Sequence, residues 1–149
     1  MTGLAIVLGS DRSPNENVMQ VAGEASRISS DKLRTAMQQS SSLYGSFLSF
    51  VHSFIVQTSN TALSNGTASI EERLARWLLM AHDRLEGDEI PLTHEFLSLM
   101  LGVRRPGVTV ALNYLERTAV IRLSRGQSFV VDREGLKASA NGTYHEAEI

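Results

Sequence analysis

The sequence predicts an α+β fold: a winged helix-turn-helix preceded by one long helix. Three observations predict it. Leu92–Leu115, LTHEFLSLMLGVRRPGVTVALNYL, carries apolar residues at helical spacing on both sides of one glycine. Two short β-prone runs flank Ser124-Arg125-Gly126-Gln127. Ser40–Asn65 carries an aromatic stripe at spacings of three and four.

In chain order, Gly3–Gly9, GLAIVLG, reads as a short buried strand, and Ser10–Asn17 as a turn-rich connection. Val18–Ile28 reads as a weaker strand or strand pair around Gly23. Ser30-Asp31 can cap a short helix through Met37. Two or three strands rarely make a stable sheet alone. The first quarter therefore reads as the end of a β domain whose beginning is missing, residues 1–39.

The long helix occupies residues 40–66. Leu43, Phe47, Phe50, Phe54, Thr58 and Thr61 line one stripe, widened by Val51, Ile55 and Ala62. The opposite face is Ser, Gln and Asn, almost without charge. Such a stripe suits either the core helix of a monomer or a helix-pair interface. The small segment in front cannot bury it, which favours dimerisation, and Thr58 and Thr61 would let the helix ends approach closely.

The third region is residues 67–149. Asn65-Gly66-Thr67 breaks the long helix, and Ser69 with Glu72 three residues on is a capping box for the next. Leu74, Trp77, Leu78 and Ala81 make its buried face. Gly87-Asp88 is a turn and Ile90–Leu92 a short strand. In the helix-turn-helix, Leu97, Met100 and Leu101 face inward from the first helix, and Val108, Leu112 and Leu115 from the second. Gly102 stops the first helix in a conformation costly for any residue with a side chain. Val120–Leu123 and Ser128–Val131 form the wing. Gly135–Ala140 is a short helical end, and the tail to Ile149 frays.

Composition bounds the function. The 149 residues are 42% hydrophobic and 20% charged, so disorder is not the default. The net charge is −2, so any nucleic-acid face must be local. Between Pro91 and Arg133 the bases are Arg104, Arg105, Arg117, Arg122, Arg125 and Arg133, against Glu95, Glu116 and Asp132. With 0 cysteines, disulfides and thiolate metal sites are excluded. No signal-peptide pattern and no membrane-length apolar run is visible, so the cytoplasm is the expected compartment and no membrane partner is expected.

The candidate site follows from the motif. The N-terminal end of the second helix is the end a helix-turn-helix pushes into the major groove of double-stranded DNA. Arg104 and Arg105 stand there, and Pro106 suits a first helical turn because its missing N–H has no partner there. Arg105 can give two hydrogen bonds to a guanine edge. Thr109 and Asn113 project from the same face one and two turns later. Thr93 caps the first helix, whose amides can be offered to a phosphate. Arg125 at the wing tip is a phosphate-contact candidate. His52, His82, His94 and His145 have no metal-ligand spacing and read as surface or helix residues. No nucleophile motif or phosphate loop supports catalysis, and no cofactor or metal site is expected.

The runs SIEERLARWLLMAHDRL, IPLTHEFLSLMLGVRRPGVTVALNYLE and VIRLSRGQSFVVDREGL, from about Ser69 to Lys137, resemble the C-terminal half of the Crp/Fnr superfamily of bacterial transcription regulators. The resemblance implies that residues 40–66 are a dimerisation helix. It also implies that residues 1–39 are a truncated remnant of a cyclic-nucleotide-binding-like β-roll. A homodimer on a near-palindromic site is implied, with RNA polymerase as a further partner. Arg12-Ser13 matches the phosphate-holding pair of cyclic AMP binders, but Thr2-Gly3-Leu4 replaces their Gly-Glu, so cyclic nucleotide is not expected to bind. The family's Arg-Glu reading pair is Arg105-Pro106 here: the guanine contact carries over, the acidic contact does not. Two functions from different classes are compatible with these features. One is a dimeric DNA-binding regulator; the other is a truncated interaction subunit that dimerises with full-length relatives and modulates them.

Overall fold

The computed structural model describes residues 1–13, 16–19 and 21–145. They form two compact units, Met1–Gln57 and Thr58–Ile149.

The first unit holds α1 (Leu4–Val7), α2 (Ser30–Gln39) and the first part of α3 (Ser41–Thr67). α1 packs on α2, and Val7 and Val51 are buried. The strand expected at Gly3–Gly9 is instead the single helical turn α1. Its amides are satisfied locally, as in Ile6 N–H to Gly3 O (3.1 Å) and Leu8 N–H to Leu4 O (3.2 Å). The strand expected at Val18–Ile28 also does not form, and the described residues there have no regular structure. The physical reason is shared. A strand leaves every N–H and C=O to a neighbour, and no described residue of 1–39 supplies a neighbouring strand. A helical turn needs no such partner.

α2 forms where the sequence leads one to expect a helix, but its N-cap is Ser29, without a side-chain cap bond, and Ser30 and Asp31 lie inside it. α3 forms too, but Asn65-Gly66-Thr67 does not break it. The helix runs to Thr67, whose hydroxyl donates to Leu63 O (2.9 Å). One glycine costs a helix only about 1 kcal/mol. The stop comes just beyond it, at Ser69, where the next helix is capped.

The second unit is built around α4 (Ile70–His82). β1 (Glu89–Ile90), α5 (His94–Leu101), α6 (Arg105–Arg117), β2 (Ile121–Ser124), β3 (Gln127–Val130) and α7 (Arg133–Ser139) follow. The sheet is antiparallel in the order β1-β3-β2, with Glu89 opposite Phe129 and Ile121 opposite Val130. The wing strands lie one residue inward of the expected bounds, so the hairpin turn is only Arg125-Gly126. β1 likewise sits at Glu89–Ile90 rather than Ile90–Leu92.

α4 packs against α5, α6, α7 and β1. Leu74, Leu78, Leu79, Ile90, Leu97, Val108, Leu112, Leu115 and Leu136 are fully buried. Three inward assignments shift. Met100 is 36% exposed, and Trp77 and Ala81 are only half-buried. Leu79 and Ala75 take their place because α4 is covered on two sides, by α6 and by α7. Arg76 is buried as well: its Nε donates to Thr143 O (2.7 Å) and its Nη1 to the Thr61 hydroxyl (3.1 Å). The expected fraying therefore does not reach Thr143 and Tyr144. The rest of that expectation falls partly on residues 146–149, outside the described residues.

The Ser69 cap forms in both directions. Ser69 Oγ accepts from Glu72 N–H (3.2 Å), and Glu72 Oε2 accepts from Ser69 N–H (2.8 Å). Hydrogen bonds from the Ser69 backbone and then from the Asn141 side chain hold the Glu72 carboxyl below its ordinary value near 4.5. A folded value below the unfolded one gives stability that is present above about pH 4.5 and lost as pH falls through the lowered value. Glu72→Gln keeps an acceptor in the box but cannot titrate. Melting temperatures between pH 6 and pH 3, taken as rough limits, should fall less steeply for the variant than for wild type. Parallel curves would show that this carboxyl is not a source of acid sensitivity.

Candidate nucleic-acid interface

α5 begins at Thr93, whose hydroxyl accepts from Phe96 N–H (3.2 Å). It ends at Gly102, at φ 63° and ψ 33°. Val103 N–H reaches back to Ser98 O (3.1 Å) and Gly102 N–H to Leu99 O (3.3 Å). This is a Schellman closure, and it needs a left-handed residue where the chain turns. The turn sets Arg104 in extended conformation as the N-cap of α6, with its carbonyl accepting from Gly107 N–H (2.9 Å). Pro106 lies in the first helical turn, as its missing donor allows.

α6 then divides cleanly. Val108, Ala111, Leu112 and Leu115 are fully buried against the domain. Arg105, Pro106, Val110 and Asn113 are exposed on the other side, with Thr109 half-buried between them. The Thr109 hydroxyl donates to Arg105 O (3.2 Å) and lies 3.1 Å from His94 Nδ1. His94 thus ties the start of α5 to the first turn of α6, which its sequence position alone does not reveal.

The wing reaches the same place. Gly126, at φ 75°, turns the hairpin and leaves Arg125 exposed at its tip. Thr93, His94, Glu95, Arg105 and Gly126 together line one open concavity of about 490 Å³. Thr93, Arg105 and the wing turn are therefore brought together. Arg104 and Asn113 are not among its lining residues. Asn113 instead lines a second concavity, about 440 Å³, with Val110, Glu116 and Arg117. Among the described residues, Arg104, Arg105 and Arg125 form no ion pair, so their charges remain available to a ligand. By contrast Arg122 lies over the Phe129 ring at 5.0 Å, and Arg133 is taken up by Asp83. Glu116 accepts from Leu123 N–H (2.8 Å), which fixes the wing to the far end of α6.

Residues 72–139 match the family described as the Crp-like helix-turn-helix domain. The resemblance seen in the sequence is thus met over the winged half. Two solved structures share the fold. One is a CRP-family transcriptional regulator from Thermus thermophilus, 21% identical, with a TM-score of 0.55, covering 62% of this chain and 50% of that one. Another is a chain assigned to the crp/fnr family of transcriptional regulators from Eubacterium rectale, also 21% identical. Its TM-score is 0.56, covering 76% of this chain and 52% of that one. The chain thus spans about half the length of these structures. No curated protein matches it.

Of the residues expected in the long-helix stripe, Leu43 and Phe47 are half-buried in the first unit, while Phe50 and Phe54 are 39% and 48% exposed. In the second unit, Thr58 is exposed, whereas Thr61 is half-buried and its hydroxyl accepts from Arg76 Nη1 (3.1 Å). Arg12 and Ser13 are exposed. His82 is the last residue of α4, a helix histidine as expected, and it is half-buried. It lies 2.9 Å from Arg133 Nη1 and 3.0 Å from Asp88 Oδ1. Among the described residues no helix is long and apolar enough to cross a membrane.

Proposed function

We propose that the chain is a sequence-specific DNA-binding transcription regulator of Crp/Fnr type, acting as a homodimer in the cytoplasm, with RNA polymerase as the machinery it influences. One observation carries the DNA reading. Arg105 stands exposed at the start of a helix whose opposite face is fully buried, in the same concavity as Thr93 and the wing turn. A rigid helix of that kind can enter the major groove while the wing and the α5 amides meet phosphates. In this arrangement Arg105 reads a guanine, Arg104 and Arg125 meet the backbone, Asn113 reaches a flanking base or phosphate, and Thr109 orients the first turn.

The homodimer reading rests on the long helix. Tyr44, Leu48, Phe50, Phe54 and Ile55 are each 39–54% exposed on its first half, more apolar surface than an isolated helix face leaves in water. In this reading residues 40–66 are the dimerisation helix and residues 67–149 the reading domain.

Selection of bound duplexes from randomised DNA tests the reading. Arg105→Ala should lose about 1–3 kcal/mol on the selected site, with relaxed preference at one base pair of each half-site. Arg125→Ala should weaken all sequences about equally and lower the salt slope by about one. Arg105→Ala binding as tightly as wild type would remove the base-reading role.

A further inference from the structure

Val110 is 60% exposed on a helix whose other aliphatic residues after the first turn, Ala111, Leu112 and Leu115, are fully buried. It follows Pro106, also exposed, by four residues, so the two stand on adjoining turns of one face. Arg105 and Asn113 project from that same side. The exposed side of α6 is thus two-part. One edge is polar and able to donate, through Arg105; the other is apolar, through Pro106 and Val110. A β-branched valine gains nothing for helix propensity at a solvent-facing position. With Pro106 it leaves an apolar edge beside Arg105 that an apolar group of a partner can meet.

The major groove offers one such partner. Each base pair shows donors and acceptors there, and only thymine adds a methyl group. Val110 lies five residues beyond Arg105, about 7.5 Å along the helix axis. With base pairs stacked about 3.4 Å apart, its target lies about two base pairs from the guanine that Arg105 reads. Pro106 stands one turn before Val110, so the apolar edge runs from one to the other.

We propose that Pro106 and Val110 form an apolar edge that receives the 5-methyl group of a thymine, so that Val110 is a specificity-determining residue of the operator. This rests on the DNA reading above. It deepens that reading by naming the second base the helix selects.

The test uses the full chain and its selected duplex. Each thymine within about four base pairs of the Arg105-dependent guanine is replaced in turn by deoxyuridine, which keeps pairing and removes only the methyl. One position per half-site should lose about three- to five-fold in affinity, the factor carried by burying one methyl group. Val110→Ala should lose a similar factor on thymine DNA and show no further loss on the deoxyuridine duplex. The variant removes an exposed side chain and improves helix propensity, so it folds. If no deoxyuridine position weakens wild type, or if Val110→Ala retains the deoxyuridine penalty, the assignment is overturned and Val110 faces something other than the bases, a protein surface included. A chain that enriches no DNA sequence overturns the DNA reading itself, and this assignment with it. An Arg105 effect without a methyl effect overturns this assignment alone.

Discussion

Replacing Arg133 with leucine should destabilise the protein by about 3–5 kcal/mol, more than replacing its partner Asp83 with alanine. Arg133 Nη2 donates to Asp83 Oδ1 (2.6 Å), and the Tyr144 hydroxyl donates to Asp83 Oδ2 (2.8 Å). The Asp83 side chain is only 4% exposed, whereas Arg133 is 29% exposed. Removing the arginine strands a buried carboxylate; removing the aspartate leaves a guanidinium that water can reach. The asymmetry follows from that difference in hydration. Desolvation works against the Arg133 charge, yet the hydrogen bond and attraction of Asp83 raise its pKa on balance. Burial, then the hydrogen bond to Asp83, pushes the Tyr144 phenol above its ordinary value near 10. A raised folded value means that this stability is fully present below the unfolded pKa of about 10 and is lost as pH rises through the folded value. Urea unfolding of the two variants reads the order directly. A larger loss for Asp83→Ala than for Arg133→Leu would show that the carboxylate is not the costly partner.

This network also shows what is hidden in the sequence. Arg133 and Asp83 are 50 residues apart, Tyr144 and Asp83 61, and Arg76 and Thr143 67. No local pattern announces such contacts, so Arg133 reads as one more basic residue of a charged segment, and Thr143 and Tyr144 as part of a fraying tail. The legible features are local ones. Ser69 with Glu72, Thr93, Gly102 and Pro106 each solve the backbone's problem within a few residues, and the structure uses each as its type suggests. The wing is legible to one residue because a Gly-containing turn between β-prone runs fixes it. The strands expected within residues 3–28 fail for the opposite reason. GLAIVLG is equally compatible with a strand and a helical turn, and only a pairing partner can decide between them. In the site, Arg105 is legible through its place after the turn. The His94–Thr109 contact is not, because it joins the starts of two different helices. An aliphatic residue in the place of Val110 looks like one more core residue until its exposure is known.

Phe54→Glu should convert the chain from dimer to monomer and weaken operator binding by about 10²–10⁴-fold, the gain that linking two half-site readers provides. Phe54 is the position for this test because it is 48% exposed in its own unit, whereas Val51, one turn before it, is 4% exposed. A charge at Val51 would strike the core of the unit; a charge at Phe54 is tolerated in a monomer and opposed only where a second helix covers it. At a dimer seam each glutamate would be desolvated without a cation opposite, since the described stripe around it is Phe50, Ile55 and Thr58. Glutamate is also a better helix former than phenylalanine, so helix content should be retained in circular dichroism. Sedimentation at micromolar concentration separates the outcomes. Monomers with native helicity and lost operator affinity place the dimer seam on this stripe. A variant that sediments as wild type and binds the operator equally well shows that the stripe is covered by something else, and that the two half-sites are joined elsewhere. The loss should fall on operator duplexes carrying both half-sites and spare a single half-site, because each reading head with its Arg105 is left intact.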